Sequence, residues 1–277
     1  MTRIEAFRAA VTQLRAAGVP DPSGDARRLM RACLSSETAL RTDPDRELDG
    51  AEAERFGAMV RARSARQPVS QIVGERDFYG RRFTVTPAVL DPRPDTETLV
   101  DLALAGSPAR RILDLGTGSG AILLTLLAEW PKALGTGTDI SPEALAVARI
   151  NAAALDLEDR VELCLADWFD GVEGRFDLVV SNPPYIAADE MAALSPEVRD
   201  WEPAIALSPG RDGLDAYRAL SRGLDAVLRP GGRALFEIGA GQAAAVSALF
   251  SGALPDATVS VHHDINGKAR VVAVTPG

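Results

Sequence analysis

The sequence predicts an α/β fold, in which a mostly parallel sheet has helices on both faces and follows a small helical bundle. Residues 1–65 place apolar side chains at three- and four-residue spacing, which is typical of helices. After Ser107, short apolar runs alternate with helical stretches, which is typical of a parallel sheet. The 277 residues, 46% of them apolar and 25% charged, are enough to bury a full core.

Three helices are predicted at the start of the chain. In the first, Ile4, Phe7, Val11 and Leu14 share one face, and Gly18 marks its end. Two further helices show the same spacing, at Ala26, Leu29, Met30 and Cys33 and at Phe56, Met59, Val60 and Arg63. We therefore expect residues 1–66 to form a helical domain.

Residues 67–92 are predicted to form a β-hairpin connector, because bulky residues flank a turn glycine at Phe78, Tyr79, Gly80, Phe83 and Val85. The segment Asp91-Pro92-Arg93-Pro94-Asp95-Thr96-Glu97 then leads into a helix that ends near Ala105, with Asp95 or Thr96 as its cap. Arg93 and Glu97 have two interpretations: they shape the floor of a site, or they form an ion pair at the helix start.

The remaining chain is predicted to alternate strands and helices. The strands are Arg111–Leu115, Leu134–Asp139, Val161–Ala166, Leu178–Ser181, Arg233–Ile238, Thr258–His263 and Arg270–Val274. The helices are Ala121–Trp130, Pro142–Leu155, Leu214–Leu228 and Gln242–Ser251, and Ser141 should cap the second of these. Because only Asp264–Ala269 separates the last two strands, they should pair antiparallel.

Composition and residue pattern argue against several classes of protein and against a metal site. The formal net charge of −9, to which residues 81–277 contribute −10 and residues 1–80 contribute +1, argues against a generic nucleic-acid binder. The first residues lack the apolar core of a signal peptide, and the longest apolar run, Ala121 to Ala128, is too short to span a membrane. Cys33 and Cys164 are expected to be buried free thiols, which indicates a reducing cytosol. His262 and His263 should point to opposite faces of a strand, so no metal site is expected.

A glycine-rich loop, Asp114-Leu115-Gly116-Thr117-Gly118-Ser119-Gly120, follows the first strand of the sheet. Its glycines allow a ligand close to the backbone, and Asp139 at the end of the next strand can accept hydrogen bonds from ribose hydroxyls. Gly116, Gly118 and Ala121 also satisfy a dinucleotide fingerprint. Asp114 would repel a pyrophosphate but attract the amino or sulfonium group of S-adenosylmethionine, which favours that cofactor over a dinucleotide and over a turn that binds nothing.

Two further motifs follow the third and fourth strands. Asp167-Trp168-Phe169 could accept a hydrogen bond from an adenine amine and stack on the base, or its aromatic pair could belong to the core. Ser181-Asn182-Pro183-Pro184-Tyr185 offers a rigid pair of acceptors, the Asn182 carboxamide and a proline carbonyl, with Tyr185 available to stack. These acceptors suit a planar NH₂ group and would orient a weakly nucleophilic nitrogen toward a methyl sulfonium.

Over nearly its whole length, the chain resembles the release factor glutamine methyltransferase family. The matching segments are Pro68-Val69 through Gly74 to Phe78-Tyr79, Pro92 to Glu97, Asp114 to Gly118, Asp167-Trp168 and Ser181 to Ile186. Asn-Pro-Pro-Tyr alone also occurs in adenine-N6 DNA and some guanine-N2 ribosomal RNA methyltransferases. The Arg-Pro-Asp-Thr-Glu stretch and the helical N-terminal domain narrow the choice, while Asp91 departs from the apolar residue of the family.

The resemblance implies a class I methyltransferase domain at residues 93–277, with a seven-stranded, mostly parallel Rossmann-like sheet. It implies methyl transfer from S-adenosylmethionine to the side-chain amide of the glutamine in the Gly-Gly-Gln motif of class I peptide chain release factors. The implied cofactor contacts are Gly116, Thr117, Gly118, Ser119, Gly120, Asp139, Trp168 and Asn182, to which the residue chemistry adds Asp114 and Asp167. Asn182, Pro183, Pro184 and Tyr185 would hold the glutamine, with Asn182, Pro183 and Tyr185 as catalytic residues.

Other functions are open at this point. A methyltransferase acting on an exocyclic amine of DNA adenine or ribosomal RNA guanine would need a basic substrate face, and the acidic charge speaks against it. A non-catalytic S-adenosylmethionine sensor would not need the amide clamp, and an oxidoreductase would use the glycine loop for a dinucleotide. We expect a cytoplasmic monomer that binds neither nucleic acid nor membrane directly, whose helical domain recognises the release factor or merely covers the sheet.

Overall fold

The computed structural model describes residues 1–36 and 38–277. Two compact units divide the chain. Residues 1–75 and 195–201 form the first, which we call the helical unit, and residues 76–194 and 202–277 form the second, the sheet unit. The predicted boundaries after residues 66 and 92 do not coincide with these units. A short segment that follows the Asn-Pro-Pro-Tyr motif, distant in sequence from the first helices, packs with them.

The described helices are, in chain order, α1 (Arg3–Ala16), α2 (Pro22–Leu34), α3 (Ala39–Thr42), α4 (Gly50–Ser64), α5 (Val69–Val73), α6 (Glu97–Ala105), α7 (Ala121–Glu129), α8 (Pro142–Ala154), α9 (Pro196–Arg199), α10 (Ala204–Leu207), α11 (Asp215–Val227) and α12 (Ala243–Ala253). The strands are β1 (Glu75–Phe78), β2 (Arg81–Thr84), β3 (Arg111–Leu115), β4 (Leu134–Asp139), β5 (Val161–Leu165), β6 (Phe176–Ser181), β7 (Leu228–Glu237), β8 (Thr258–His263) and β9 (Ala269–Thr275). No helix among these is long and apolar enough to cross a membrane.

The helical unit contains the three helices that the spacing predicts, together with the shorter α3, α5 and α9. Capping boxes begin α1 at Thr2 and α4 at Asp49, where each side chain accepts a hydrogen bond from the third amide of its helix. The predicted apolar faces meet in one core, in which Leu14, Leu29 and Phe56 are almost wholly buried. Local capping and periodicity therefore account for these helices.

A partly buried ion-pair network fixes residues 195–201 within the helical unit. Glu197 of α9 accepts hydrogen bonds from Arg63 (2.8 Å) and from Nε and Nη2 of Arg66 (2.8 and 2.7 Å), and Arg63 also binds Asp25 at 2.7 Å. Burial alone would raise the pKa of Glu197, but the two arginines hold it at about 2. Because the pKa falls on folding, Glu197 stabilises the fold above its ordinary value of 4.5, and this contribution is lost as the pH falls toward 2.

Replacing Glu197 with alanine is expected to lower the free energy of unfolding of the helical unit by about 2–3 kcal/mol, because buried Arg63 loses one of its two carboxylates. Native-state hydrogen exchange of the α2 and α4 amides measures this loss. Glu54→Ala is the matched control, since Glu54 is exposed on α4 and should change stability by less than about 0.5 kcal/mol. Equal losses in both variants would contradict a stabilising role for the network.

The sheet unit contains a seven-stranded sheet in the order β5-β4-β3-β6-β7-β9-β8, which confirms the predicted fold class. The strands β5, β4, β3, β6 and β7 are parallel, and β9 pairs antiparallel with both β7 and β8, as predicted. The strands lie close to their predicted positions, except that β7 begins at Leu228 instead of Arg233. The strands β1 and β2 form the predicted hairpin as a separate two-stranded sheet.

Alternate residues of the central strands pack on opposite faces of the sheet. Ile112 and Leu178 lie in the core that also contains α6 and α7, while Leu113 and Val179 lie in the core that contains α11 and α12. All four side chains are completely buried, which explains the continuous apolar runs in the sequence.

The strand order reverses at β3, whose neighbours are β4 on one side and β6 on the other. In open α/β sheets, ligands bind beyond the carboxyl ends of the strands at such a switch point. The glycine loop leaves β3, Asp139 ends β4 and Asn182 follows β6. The topology thus brings the predicted site residues to one edge of the sheet.

Candidate active site

The glycine loop turns sharply between β3 and α7. Gly116, Gly118 and Gly120 have φ values of 71°, 56° and 80°, a region that side chains other than glycine rarely adopt. At Gly120 a Cβ atom would also lie 2.9 Å from the Leu124 side chain. Gly120 therefore has a structural function at the start of α7, whereas Gly116, Thr117, Gly118 and Ser119 line a cavity.

Most amide groups of this loop donate hydrogen bonds within the protein. The amides of Gly116 and Thr117 donate to the Thr138 carbonyl at 2.9 and 2.8 Å, that of Gly118 to Asp139 Oδ2 at 2.9 Å, and that of Gly120 to the Thr117 carbonyl at 2.8 Å. A dinucleotide pyrophosphate needs free amides at this point of the fold. The loop is therefore built for a ligand other than a pyrophosphate.

Asp139 lies at the carboxyl end of β4 and lines the same cavity. Its Oδ2 accepts from the Gly118 amide and its Oδ1 from the Ser141 amide, both at 2.9 Å. Each carboxylate oxygen can accept more than one hydrogen bond, so Asp139 retains capacity for a pair of ribose hydroxyls. Ser141 in turn caps α8 as predicted, because its Oγ accepts from the Ala144 amide at 3.0 Å.

Asp114 is completely buried and is not among the residues that line the cavity. Its Oδ2 accepts a 2.8 Å hydrogen bond from the Thr117 hydroxyl, while Oδ1 has no hydrogen-bond partner among the described residues. Burial raises the pKa of Asp114 to about 7, against the opposing effect of the Thr117 hydrogen bond. Asp114 is thus placed to orient Thr117, which does line the cavity.

The Asp167-Trp168-Phe169 loop contributes two residues to the cavity. Asp167 and Trp168 line it, whereas Phe169 packs against the apolar core beneath α11. Trp168 has a φ of 53°, a strained conformation for an aromatic residue, and its carbonyl accepts a 3.2 Å hydrogen bond from the Thr138 hydroxyl. Strain of this kind is typical of residues held in place for a ligand.

Asn182 and Pro184 line the cavity at the end of β6. The Asn182 Nδ2 group donates to the Thr96 Oγ1 atom at 3.2 Å, across 86 positions of sequence. Thr96 is the N-cap residue of α6, one of the two predicted positions, but its side chain makes no capping hydrogen bond. Thr96 instead belongs to the Asn182 environment.

Pro183 and Tyr185 do not line the described cavity wall. Pro183 is buried, and Tyr185 packs on the apolar core that contains α11 while its carbonyl accepts from the Gln242 amide group at 2.9 Å. Burial and the nearby Glu237 carboxylate raise the pKa of Tyr185 to about 12. Tyr185 therefore supports the loop from beneath in this structure.

The cavity that these loops enclose has a volume of about 370 Å³. The predicted site residues that line it are Gly116, Thr117, Gly118, Ser119, Asp139, Asp167, Trp168, Asn182 and Pro184. The predicted site residues that do not line the cavity are Asp114, Gly120, Pro183 and Tyr185. One continuous cavity thus joins the predicted cofactor residues to the predicted amide clamp.

Curated relatives and family profiles cover both units. The chain is 57% identical over 277 residues to a release factor glutamine methyltransferase of Cereibacter sphaeroides, covering 99% of this chain and 98% of that relative. It is 46% identical to a release factor glutamine methyltransferase of Caulobacter vibrioides, covering 98% and 96% of the two chains. The chain belongs to the release factor glutamine methyltransferase family. The profile of the PrmC N-terminal domain matches residues 5–74, and that of the methyltransferase small domain matches residues 94–195.

Solved structures agree with this family in fold. A crystal structure of a methyltransferase from Pyrococcus furiosus is similar with a TM-score of 0.54 at 17% identity, over 79% of this chain and 95% of that chain. At this identity the likeness shows a methyltransferase fold and no more. The resemblance stated from the sequence motifs is thereby confirmed for both fold and family.

Arg93 and Glu97 of this methyltransferase do not pair with each other. The Arg93 Nη2 group contacts both oxygens of buried Glu202, at 2.5 and 2.6 Å, and Arg93 lines the cavity. Glu97 Oε1 accepts from the Tyr79 amide at 2.8 Å. The predicted ion pair is therefore wrong, and only Arg93 lies where it can shape the site.

Sequence motifs did not reveal two charged residues beside the methyltransferase clamp, Glu237 and Arg270. Glu237 ends β7 and is completely buried, and its Oε2 atom has no hydrogen-bond partner among the described residues. Arg270 of β9 binds Asp95 at 2.9 Å and Asp264 at 3.3 Å. A carboxylate within the apolar run that ends at Ile238 was the available signal, because buried charges are rare away from functional sites.

The described part of the chain shows no cluster of side chains suited to bind a metal ion. Among residues 1–36 and 38–277, no group of three or more histidine, cysteine, aspartate or glutamate side chains is arranged to hold a metal ion. Cys33 is buried and Cys164 is half-buried, and neither forms a disulfide with a described residue. The prediction that both thiols are buried is therefore confirmed only for Cys33.

Proposed function

We propose that this protein transfers the methyl group of S-adenosylmethionine to the side-chain amide nitrogen of the glutamine in the Gly-Gly-Gln motif of class I peptide chain release factors. The observation that supports this most directly is the single cavity that runs from Asp139 and Trp168 to Asn182. The names of relatives that are 57% and 46% identical specify the same reaction class.

The cavity residues fit S-adenosylmethionine. Asp139 has acceptor capacity for ribose hydroxyls, Trp168 presents an aromatic side chain, and the positive-φ glycines Gly116 and Gly118 leave space that a Cβ would restrict. When bound, the cofactor supplies an electrophilic methyl group on a sulfonium. The glycine loop, with its amides already paired inside the protein, suits this cationic ligand better than a pyrophosphate.

Asn182 and the proline after it orient the nucleophile. The Asn182 Oδ1 atom and the carbonyl oxygen of Pro183, which lies between the cavity-lining residues Asn182 and Pro184, accept the two N–H bonds of the glutamine amide. This fixes the plane of a poorly nucleophilic nitrogen. Accepting both N–H bonds also increases electron density on that nitrogen. Such positioning can supply on the order of 7–11 kcal/mol of the barrier. The N–CH₃ bond forms as the S–CH₃ bond breaks, and the nitrogen releases one proton to water.

A second candidate function, methylation of an exocyclic amine on DNA or RNA, uses the same acceptors. The net charge of −9 argues against it, because nucleic-acid affinity depends on neutralising phosphates. We propose that the helical unit contacts the release factor and that the protein acts as a cytoplasmic monomer without direct nucleic-acid binding. The excess of acidic side chains in residues 81–277, 27 against 17 basic ones, supports this preference.

Labelled S-adenosylmethionine and purified class I release factor test the proposal. We expect incorporation into the wild-type factor and none into a factor whose Gly-Gly-Gln glutamine is replaced with alanine. Duplex DNA and ribosomal RNA are tested in parallel under the same conditions. Incorporation into nucleic acid but not into the release factor would select the second candidate and overturn the first.

A further inference from the structure

The charges on the cavity wall are uneven. Among the described residues that line it, four are carboxylates, Asp91, Asp139, Asp167 and Asp215, and one is a cation, Arg93. Carboxylates attract the ammonium and sulfonium groups of S-adenosylmethionine, but the α-carboxylate of this cofactor has the opposite charge. Moving a carboxylate from water into such a cavity is costly unless a cation pairs with it. The assignment of a partner for this group rests on the proposed function, which requires the cofactor.

Arg93 has donor groups available for this carboxylate. Its Nη2 atom donates to both oxygens of Glu202, at 2.5 and 2.6 Å. Its Nε and Nη1 atoms have no hydrogen-bond partner among the described residues, and 35% of the side chain is exposed. A guanidinium stays charged in proteins and carries N–H donors on all three of its nitrogens. Arg93 can therefore bind a second carboxylate while it keeps the first.

Glu202 fixes the position of the Arg93 side chain. The Glu202 side chain is only 1% exposed, and both of its oxygens contact the same nitrogen of Arg93. Pro92 and Pro94 flank Arg93 and restrict its backbone, and the Pro92 carbonyl accepts from Arg76 Nε at 3.2 Å. A side chain held in this way loses less conformational freedom when it binds a ligand. The free donors of Arg93 are thus preorganised at the cavity.

Arg93 lies near the Asn182 end of the cavity. The Thr96 amide donates to the Arg93 carbonyl at 3.1 Å, and the Thr96 Oγ1 atom accepts from Asn182 Nδ2 at 3.2 Å. In the proposed reaction the sulfonium must face Asn182, and only a short aliphatic chain joins the sulfur to the α-carboxylate. Because Asp139 and Trp168 are assigned to the nucleoside, the amino-acid end of the cofactor is expected on the side of Arg93.

We propose that Arg93 binds the α-carboxylate of S-adenosylmethionine through its Nε or Nη1 group, and that Glu202 is the positioning residue that holds Arg93 for this contact. Neither residue needs to touch the methyl group or the substrate amide. The pair selects ligands that carry a carboxylate on the amino-acid end. A competing assignment, in which Arg93 donates to the carbonyl oxygen of the substrate glutamine, predicts a loss with the substrate and none with the cofactor.

Calorimetry with S-adenosylhomocysteine and with decarboxylated S-adenosylhomocysteine tests this contact on the full chain without release factor. In the wild type, loss of the carboxylate should raise the dissociation constant about 10- to 100-fold, as expected for a hydrogen bond between charged groups. In Arg93→Met the two dissociation constants should agree within about three-fold, because the group that distinguishes the ligands is gone. The matched control is Arg222→Met, which changes an exposed arginine of α11 outside the cavity and should keep the wild-type ratio.

A second comparison separates the contact from a folding defect, because Arg93→Met leaves the buried Glu202 carboxylate without this partner. Glu202→Gln keeps an acceptor oxygen for Nη2 and should retain most of the wild-type ratio. Arg93→Met combined with Glu202→Gln buries no unpaired carboxylate at this position and should lose the ratio. Glu202→Ala should lower the ratio but leave the affinity for the decarboxylated ligand within about two-fold, as expected for a residue that acts through Arg93.

A ratio near one in the wild type, or the wild-type ratio in both proteins that carry Arg93→Met, would overturn the carboxylate site. An unchanged ratio together with a lower kcat on release factor would assign Arg93 to the substrate instead. Wild-type protein that shows the expected ratios but does not methylate release factor would overturn the proposed function and leave the carboxylate site supported.

Discussion

Replacing Asn182 with alanine is expected to lower kcat for methylation of the release factor by about 10²-fold or more, because the substrate amide loses an acceptor that orients it. Asn182 lines the cavity at the end of β6, and truncation to alanine leaves the remaining loop, including buried Pro183, in place. Single-turnover kinetics with saturating S-adenosylmethionine measures the methyl-transfer step directly.

The matched control is Asn266→Ala, since Asn266 is exposed in the turn between β8 and β9. Its single-turnover rate should equal that of the wild type. Because Asn182 also lies in the cofactor cavity, calorimetry should accompany the kinetics to separate weakened cofactor binding from a slower chemical step. Near wild-type turnover in Asn182→Ala would contradict the amide-clamp mechanism.

Replacing Asp139 with alanine is expected to weaken S-adenosylmethionine binding by about 1.5–3 kcal/mol, the usual scale for hydrogen bonds to a charged group. Two consequences of the substitution favour a value toward the upper end. The ribose hydroxyls lose their acceptor, and the Gly118 and Ser141 amides, each bonded to Asp139 at 2.9 Å, lose theirs. Isothermal titration calorimetry measures the change.

Asp159→Ala serves as the control, because Asp159 is exposed on a short turn before β5 and lies outside the cavity. Its dissociation constant for S-adenosylmethionine should match that of the wild type. NAD, tested by the same method, should show no binding at millimolar concentration, since most loop amides are paired inside the protein. Tight NAD binding would contradict the cofactor assignment.

The local sequence pattern predicted many of the residues that line the cavity. The glycine loop and Asp139 were predicted from residues at the ends of adjacent parallel strands, and both line the cavity. The functions of Asp114 and Tyr185 in the site were harder to predict. Sequence placed them beside the ligand, whereas the structure buries Asp114 beneath Thr117 and packs Tyr185 on the core. The position of a residue in or beside a sequence motif does not specify which way its side chain points.

Sequence alone predicted the strands, the helix cap at Ser141 and the turn at Gly116–Gly120, since periodicity, capping and backbone preference act over a few residues. The partners that are distant in sequence became evident only in the folded protein. Arg63 meets Glu197 across 134 positions, and Asn182 meets Thr96 across 86. Such pairs form because the strand order and the packing of whole elements bring distant segments together, and no local preference encodes that distance.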